Sequence, residues 1–148
     1  MKKLFILISL LTLSSTAMAT DQSFGASLKL FKPITITKVQ DLLFPDTTLT
    51  GSAFTIAVLP ADSGAATFNA QGGKNRSIIK SVVESSINMS ASGVTGNIAV
   101  DTFVLSGPSA FDASGNANAI KVGATAHVLA ASEDGNYTGT ATLRVVYQ

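Results

Sequence analysis

Apolar residues recur at every second position along most of the chain. That is the period of a strand with one buried face, and not the period of about 3.6 that marks a helix. The last run is the clearest. Tyr137, Gly139, Ala141, Leu143, Val145 and Tyr147 share one face, while Thr138, Thr140, Thr142, Arg144 and Val146 share the other. The first set is expected to face the core. Before it, Ile120, Val122, Ala124, Ala126 and Val128 alternate with Lys121, Gly123, Thr125, His127 and Leu129. Glu133-Asp134-Gly135-Asn136 separates the two runs. Asp-Gly tolerates positive φ, so a hairpin turn is expected there, with the last two strands paired antiparallel.

The earlier runs read alike. Phe24, Ala26, Leu28 and Leu30 alternate up to Pro33, and Ile34 and Ile36 continue beyond it. A strand interrupted by proline is expected at a sheet edge or at a switch between sheets. Phe54, Ile56 and Val58 form a strand stopped by Pro60, and Ala66 to Ala70 form a short one anchored by Phe68. Gln71-Gly72-Gly73-Lys74-Asn75 then turns the chain. Ser77 to Met89 admits two short strands or a strand with a helical turn. Ile98 to Leu105 reads as a nearly continuous buried strand, ended by Gly107-Pro108, and Asp112 to Asn118 is rich in turn formers. About seven short strands punctuated by turns predict an all-β chain, an Ig-like antiparallel β-sandwich. A closed barrel is the alternative.

The first residues change the boundaries. Lys2 and Lys3 precede an apolar run from Leu4 to Leu13, and Ala17-Met18-Ala19 closes a stretch of small residues. This is the layout of a cleavable signal peptide, residues 1–19. A run of some ten residues is half of what a spanning helix needs. No membrane span is expected after cleavage, and residues 20–148 are expected to form one domain. Removing Lys2 and Lys3 leaves eight basic against nine acidic residues, a formal charge of −1. The positive charge of the whole chain is thus a targeting feature, and no nucleic-acid partner is expected. Cysteine is absent, so stability must come from burial and backbone hydrogen bonding.

Candidate chemistry is sparse. His127 is the one histidine, and it falls on the polar face of its strand. A zinc site there would need carboxylate co-ligands. No G-x-S-x-G elbow accompanies it, and no paired carboxylates suited to acid–base work are visible. Asp112, Asn116 and Asn118 carry oxygen but lack the spacing of a calcium loop. Gly72-Gly73-Lys74 lacks the spacing of a phosphate loop. Neither a catalytic residue, a metal nor a cofactor is expected.

Three stretches carry a family resemblance. Pro33-Ile34-Thr35-Ile36-Thr37 is followed by Asp41-Leu42-Leu43-Phe44. Ala66-Thr67-Phe68 stands with Gly72. Val122-Gly123-Ala124-Thr125 stands with Gly135-Asn136-Tyr137-Thr138-Gly139-Thr140, and the chain closes on Leu143-Arg144-Val145-Val146-Tyr147-Gln148. Together they resemble the DUF4402 family of exported bacterial proteins. Pro45 follows Phe44 where the family pattern has glycine. The last strand, with Gly135, Tyr137, Gly139, Val145 and Tyr147, also looks like that of chaperone–usher pilins and spore-coat-U-like proteins. The resemblance implies an exported, non-enzymatic structural subunit in the periplasm, secreted or on the cell surface as part of a fimbria. Such subunits pair strands with copies or related subunits, with a periplasmic chaperone and an usher as further partners. Phe24, Ala26, Leu28 and Leu30 have the period of a donated strand. Their other reading is the domain's own first strand. The rival function is a monomeric periplasmic or secreted binding module for a glycan or protein.

Overall fold

In a computed structural model of the chain, residues 20–148 are described, and they form eight β-strands and no helix. The expected signal peptide, residues 1–19, lies outside the described residues. The strands are β1 (Thr35–Gln40), β2 (Phe54–Val58), β3 (Ala66–Gln71), β4 (Ile78–Val82), β5 (Ile87–Met89), β6 (Ile98–Ser106), β7 (Asn116–Val128) and β8 (Leu143–Tyr147). The chain divides into two units, residues 1–30 and residues 31–148, and every strand belongs to the second. The described part of the first, residues 20–30, carries neither strand nor helix. Phe24 to Leu30 therefore does not form the domain's own first strand. Regular pairing begins only beyond Pro33, which fixes φ and removes a backbone donor.

All pairing is antiparallel, in two unequal sheets consistent with a β-sandwich. The large sheet runs β1-β3-β7-β6-β5, and β2 also pairs with β7. The small sheet is β4-β8 alone. β7, thirteen residues long, is the spine. Along one edge, β3 pairs with Asn116 to Val122 and β2 continues in line from Ala124 to Val128. β6 occupies the other edge. Gly123 falls at the changeover from β3 to β2. A Cβ there would stand 2.2 Å from the Val58 carbonyl oxygen and 2.9 Å from Pro60 Cδ. The chain between β2 and β3 closes in so tightly that only glycine fits.

The alternation read in the sequence is realised in β7: Ile120, Val122, Ala124, Ala126 and Val128 are all buried. Ile120 belongs to one apolar cluster and Ala124, Ala126 and Val128 to another. Ala70, Ile78, Phe111, Ala117, Ile120 and Val145 form one, involving both strands' partners in the small sheet. Ile98, Val100, Ala124, Ala126 and Val128 form the other, with Phe54, Ile56, Ile87 and Tyr137 packed against it.

Two expectations are corrected. Glu133–Asn136 does not join the last two strands in a hairpin: β8 pairs with β4 in the other sheet. The reason is backbone supply. Both edges of β7 are already taken, so the following chain has no partner there and must cross over. The crossing begins at a turn where Ser132 donates from its N–H to the Leu129 carbonyl (3.0 Å) and accepts from the Leu129 N–H through Oγ (3.0 Å). The long last strand is also shorter than its alternation suggests. Leu143, Val145 and Tyr147 face inward, but Gly139 and Ala141 are exposed, and upstream only Thr138 pairs, with Ser90. Ser77–Met89 resolves into two strands, β4 and β5, with no helical turn. β6 is bulged: Asp101 lies opposite Thr125 and Val104 opposite Gly123, one residue too many.

Replacing Gly123 with Ala is expected to destabilise the fold by about 1–3 kcal/mol, toward the upper end because the obstacle is backbone. Urea unfolding measures this, and an unchanged midpoint would contradict the close approach.

Candidate functional site

The residues that lead to the site are those of β8. Gln148 donates from its N–H to the Ser77 carbonyl (3.1 Å), and the Val83 N–H donates to the Thr142 carbonyl (2.9 Å). Antiparallel ladders alternate hydrogen-bonded and non-bonded pairs. With Ile79 opposite Val146 and Ser81 opposite Arg144, those two residues of β8 direct their backbone groups to β4. Leu143, Val145 and Tyr147 direct theirs to the other side, and no described strand pairs there. In an Ig sandwich one sheet has the order A-B-E-D and the other C-F-G. Here β1, β3, β7 and β6 follow the first order, and β4 and β8 correspond to C and F. The position beside β8, that of strand G, holds no strand among the described residues.

At the start of β8, where Leu143 lines it, lies an open apolar groove of about 520 Å³. One lip is the chain after β1, from Asp41 to Phe44, and the other is the segment from Asn136 to Leu143. Phe68, Val100 and Val122 line it from the large sheet, and Ile87 and Met89 from β5. Phe103 also lines it, just after the β6 bulge, where Thr102 takes a φ of 50°. A β-branched residue in the left-handed region is strained. Its Oγ1 donates to Asp101 Oδ1 at 2.8 Å, which holds the bulge in place.

Polar groups fix both lips. At the first, Leu43 donates from its N–H to the Gly64 carbonyl (2.8 Å), and Lys38 and Asp41 form an exposed pair at 2.7 Å. At the second, Glu84 Oε2 accepts the Thr142 N–H (2.7 Å) while its Oε1 accepts the Thr142 hydroxyl (2.9 Å). The Thr142 N–H is the chief reason that the Glu84 carboxyl is held below its ordinary value. The small sheet is tied to β6 by Lys80, whose Nζ donates to the Gly107 carbonyl at 2.7 Å and whose pKa is lowered by partial burial.

The residues that carried the family resemblance sit around this region. Gly139 lets the second lip run against β5, since a Cβ would stand 3.0 Å from Met89 Cγ. A Cβ on Gly135 would meet Ala91 and Val94 at 3.0 Å. Tyr137 lines the groove and donates from its hydroxyl to the Glu133 carbonyl at 3.0 Å. Val145 is buried in the first cluster. Tyr147 stands at the far end of β8, its ring against Phe111 (5.9 Å) and Phe31 (5.3 Å). Its hydroxyl accepts the Gly73 N–H (2.6 Å) and donates to the Lys32 carbonyl. Phe24, Ala26, Leu28 and Leu30 are exposed and belong to the other unit.

The polar residues weighed for chemistry have other occupations. His127 Nε2 lies 2.8 Å from Asp101 Oδ1 across β6 and β7, and that contact is the main cause of the lowered Asp101 pKa. Asp112 Oδ1 accepts the Ser114 and Asn116 N–H groups at 2.8 Å, closing its loop. Sequence reasoning did not find Glu84, Lys80, Thr102 or Phe103. His127 was singled out in the sequence as the one histidine, but its partner Asp101, 26 positions away, was not. The role of Glu84 rests on Thr142, 58 positions away, and leaves no local signal.

The sequence pattern of the family described as Domain of unknown function (DUF4402) matches residues 44–147. The match takes in β2 to β8 and begins after β1, so Pro33 to Thr37 lies outside it. No curated protein and no solved structure matches the chain.

The depressed Glu84 carboxyl gives a pH prediction. A group whose folded pKa lies below its unfolded value adds stability above the unfolded value, and that stability is lost as pH falls through the folded one. Glu84→Gln is therefore expected to melt below the unaltered chain at neutral pH. The gap should close on acidification below the ordinary value of 4.5. Melting curves across that range are the check, and a gap that stays constant would contradict the assignment.

Proposed function

The chain belongs to the DUF4402 family, and for this member of it we propose a structural role. It is an exported, non-enzymatic subunit of a fimbria-like or other cell-surface assembly, held together by β-strand pairing between copies or related subunits. The observation that carries the reading is the unpaired outer edge of β8 in a two-stranded sheet beside an apolar groove. Exposed strand edges template pairing with other chains, and proteins that remain monomeric protect them. The outer edge of β1 is also unpaired, but Pro33 precedes that strand and Lys38 lies on it, both of which discourage added strands. The β8 edge has an apolar floor beside it instead. Added strands gain main-chain hydrogen bonds from an edge and specificity from pockets for alternate side chains.

Export is supported by Lys2, Lys3, the apolar run after them and Ala17-Met18-Ala19. In an exported assembly, a periplasmic chaperone and an usher are partners that would hold the open edge before it meets another copy.

The test is the state of association. Sedimentation velocity of residues 20–148, the chain after cleavage, is expected to show oligomers that grow with concentration. Ala141→Pro, at an exposed lip position, should weaken association about tenfold or more by removing a donor and narrowing the backbone. A chain that stays monomeric at every concentration and unfolds in one cooperative step would sink assembly. It would return the groove to a monomeric binding module for a glycan or protein partner.

A further inference from the structure

Resting on the reading of an assembly of copies, we infer that electrostatics orients those copies end to end. The end of the sandwich that carries Lys32, Lys74 and Arg76 in one copy meets the end that carries Glu133 and Asp134 in the next.

The observation is a sorting of charge by the fold. Along the chain, basic and acidic residues are interspersed. In the large sheet, Thr67 of β3 and Ser106 of β6 both lie opposite Lys121 of β7, and this row divides residues 31–148 by charge. At the row or on the side of Asn116 stand six basic residues. Lys38 lies opposite Phe68, itself opposite Ile120. Lys32 precedes β1, Lys74 and Arg76 follow β3, and Lys80 reaches the Gly107 carbonyl beside Ser106. Asp112 is the one acidic residue there, and its Oδ1 accepts two backbone N–H groups. On the side of Val128 stand seven acidic residues. Asp41, Asp46 and Asp62 lie in the chain between β1 and β3, Glu84 follows β4, and Asp101 lies opposite Thr125. Glu133 and Asp134 follow the end of β7. Arg144 is the one basic residue on that side. A domain with little net charge thus carries a formal +5 on one half and −6 on the other.

The two tips hold their charge in reach of a partner. Lys32, Lys74, Glu133 and Asp134 are exposed, and Arg76 is half-buried with its guanidinium 5.1 Å from the centre of the Phe31 ring. None of the five takes part in an ion pair among the described residues. Complementary potentials steer encounter, and like charges brought together suppress the wrong one. Two basic tips repel, and so do two acidic tips, so the favoured approach of two copies is head to tail. Such a contact is heterologous and leaves a free tip at each end of the assembly. A second copy fits better than an anionic surface. The chain carries the matching acidic tip itself, and residues 20–148 have a formal charge of −1, with no net attraction to such a surface.

The test is salt and charge reversal, read by sedimentation velocity of residues 20–148. The screening length falls from about 30 Å at 0.01 M to about 3 Å at 1 M ionic strength. Across that range association is expected to weaken about tenfold or more. Lys32→Glu with Lys74→Glu makes both tips acidic, and Glu133→Lys with Asp134→Lys makes both basic. The hydrogen bonds to Lys32 and Glu133 go to their carbonyls, so the urea midpoints should stay unchanged. Each variant alone is expected to associate about tenfold more weakly at low salt, and an equimolar mixture to regain association in species that contain both.

A mixture that associates no better than its components would overturn the proposal. Oligomers that keep their size at high salt and in both variants also overturn it, and leave strand pairing standing. Association lost in both variants but indifferent to Ala141→Pro keeps the end-to-end contact and removes strand pairing. A strictly monomeric chain removes both. A chain whose copies stay apart yet bind vesicles rich in phosphatidylglycerol at low salt makes an anionic surface the partner of the basic tip, and likewise overturns the proposal.

Discussion

The structure depends on how the hydrogen-bonding edges of one long strand are used. β7 is paired with β3 and β2 along one side and with β6 along the other. Backbone N–H and C=O groups are obligatory hydrogen-bonding groups, and a strand has only two sides on which to satisfy them. With both sides of β7 occupied, the chain that follows cannot fold back as a hairpin. It crosses to the other layer and finds β4. Everything peculiar to this sandwich follows from that exclusion: a large sheet, a sheet of two strands, and a last strand paired on one side only.

The unequal layers leave an apolar face partly uncovered. The first buried cluster takes Ile78 and Val145 from the small sheet, the second has no residue of β4 or β8, and the groove opens between the first lip and the chain leading into β8. Each square ångström of apolar surface left in water forgoes about 25 cal/mol of burial, so an uncovered groove is a standing loss for the isolated chain. Placed beside an unpaired edge, the same feature becomes a favourable place for a strand to add, because apolar burial and main-chain hydrogen bonding are gained together.

A two-stranded sheet is marginal on its own. Here polar side chains reinforce it at its ends. Glu84 holds Thr142 at the start of β8, Tyr147 holds Gly73 and Lys32 at its end, and Lys80 reaches across to the Gly107 carbonyl. All three act through backbone groups far away in sequence. Such bonds position the main chain without depending on which side chains lie beside them. They keep the lip of the groove in place while leaving its apolar lining and open edge untouched.

How much of this was legible along the chain depends on the range of the interaction. Period-two alternation alone gave the all-β class, the strands β2, β3, β6 and β7, and the inward set from Ile120 to Val128, because side chains on a pleated strand point to alternate faces whatever the partner. It also marked Leu143, Val145 and Tyr147 as inward, and Pro33 as a break before an edge strand. Alternation is blind to partners. Asp134-Gly135 reads as a hairpin turn in any sequence, and only the prior occupation of both β7 edges rules the hairpin out. Phe24 to Leu30 alternates as regularly as any strand, yet no described strand forms there. Residue order therefore determined which segments can be strands and which faces are apolar. The tertiary structure decided who pairs with whom, where the small sheet stops and which edge stays open, because backbone pairing is a competition among distant segments for a limited number of edges.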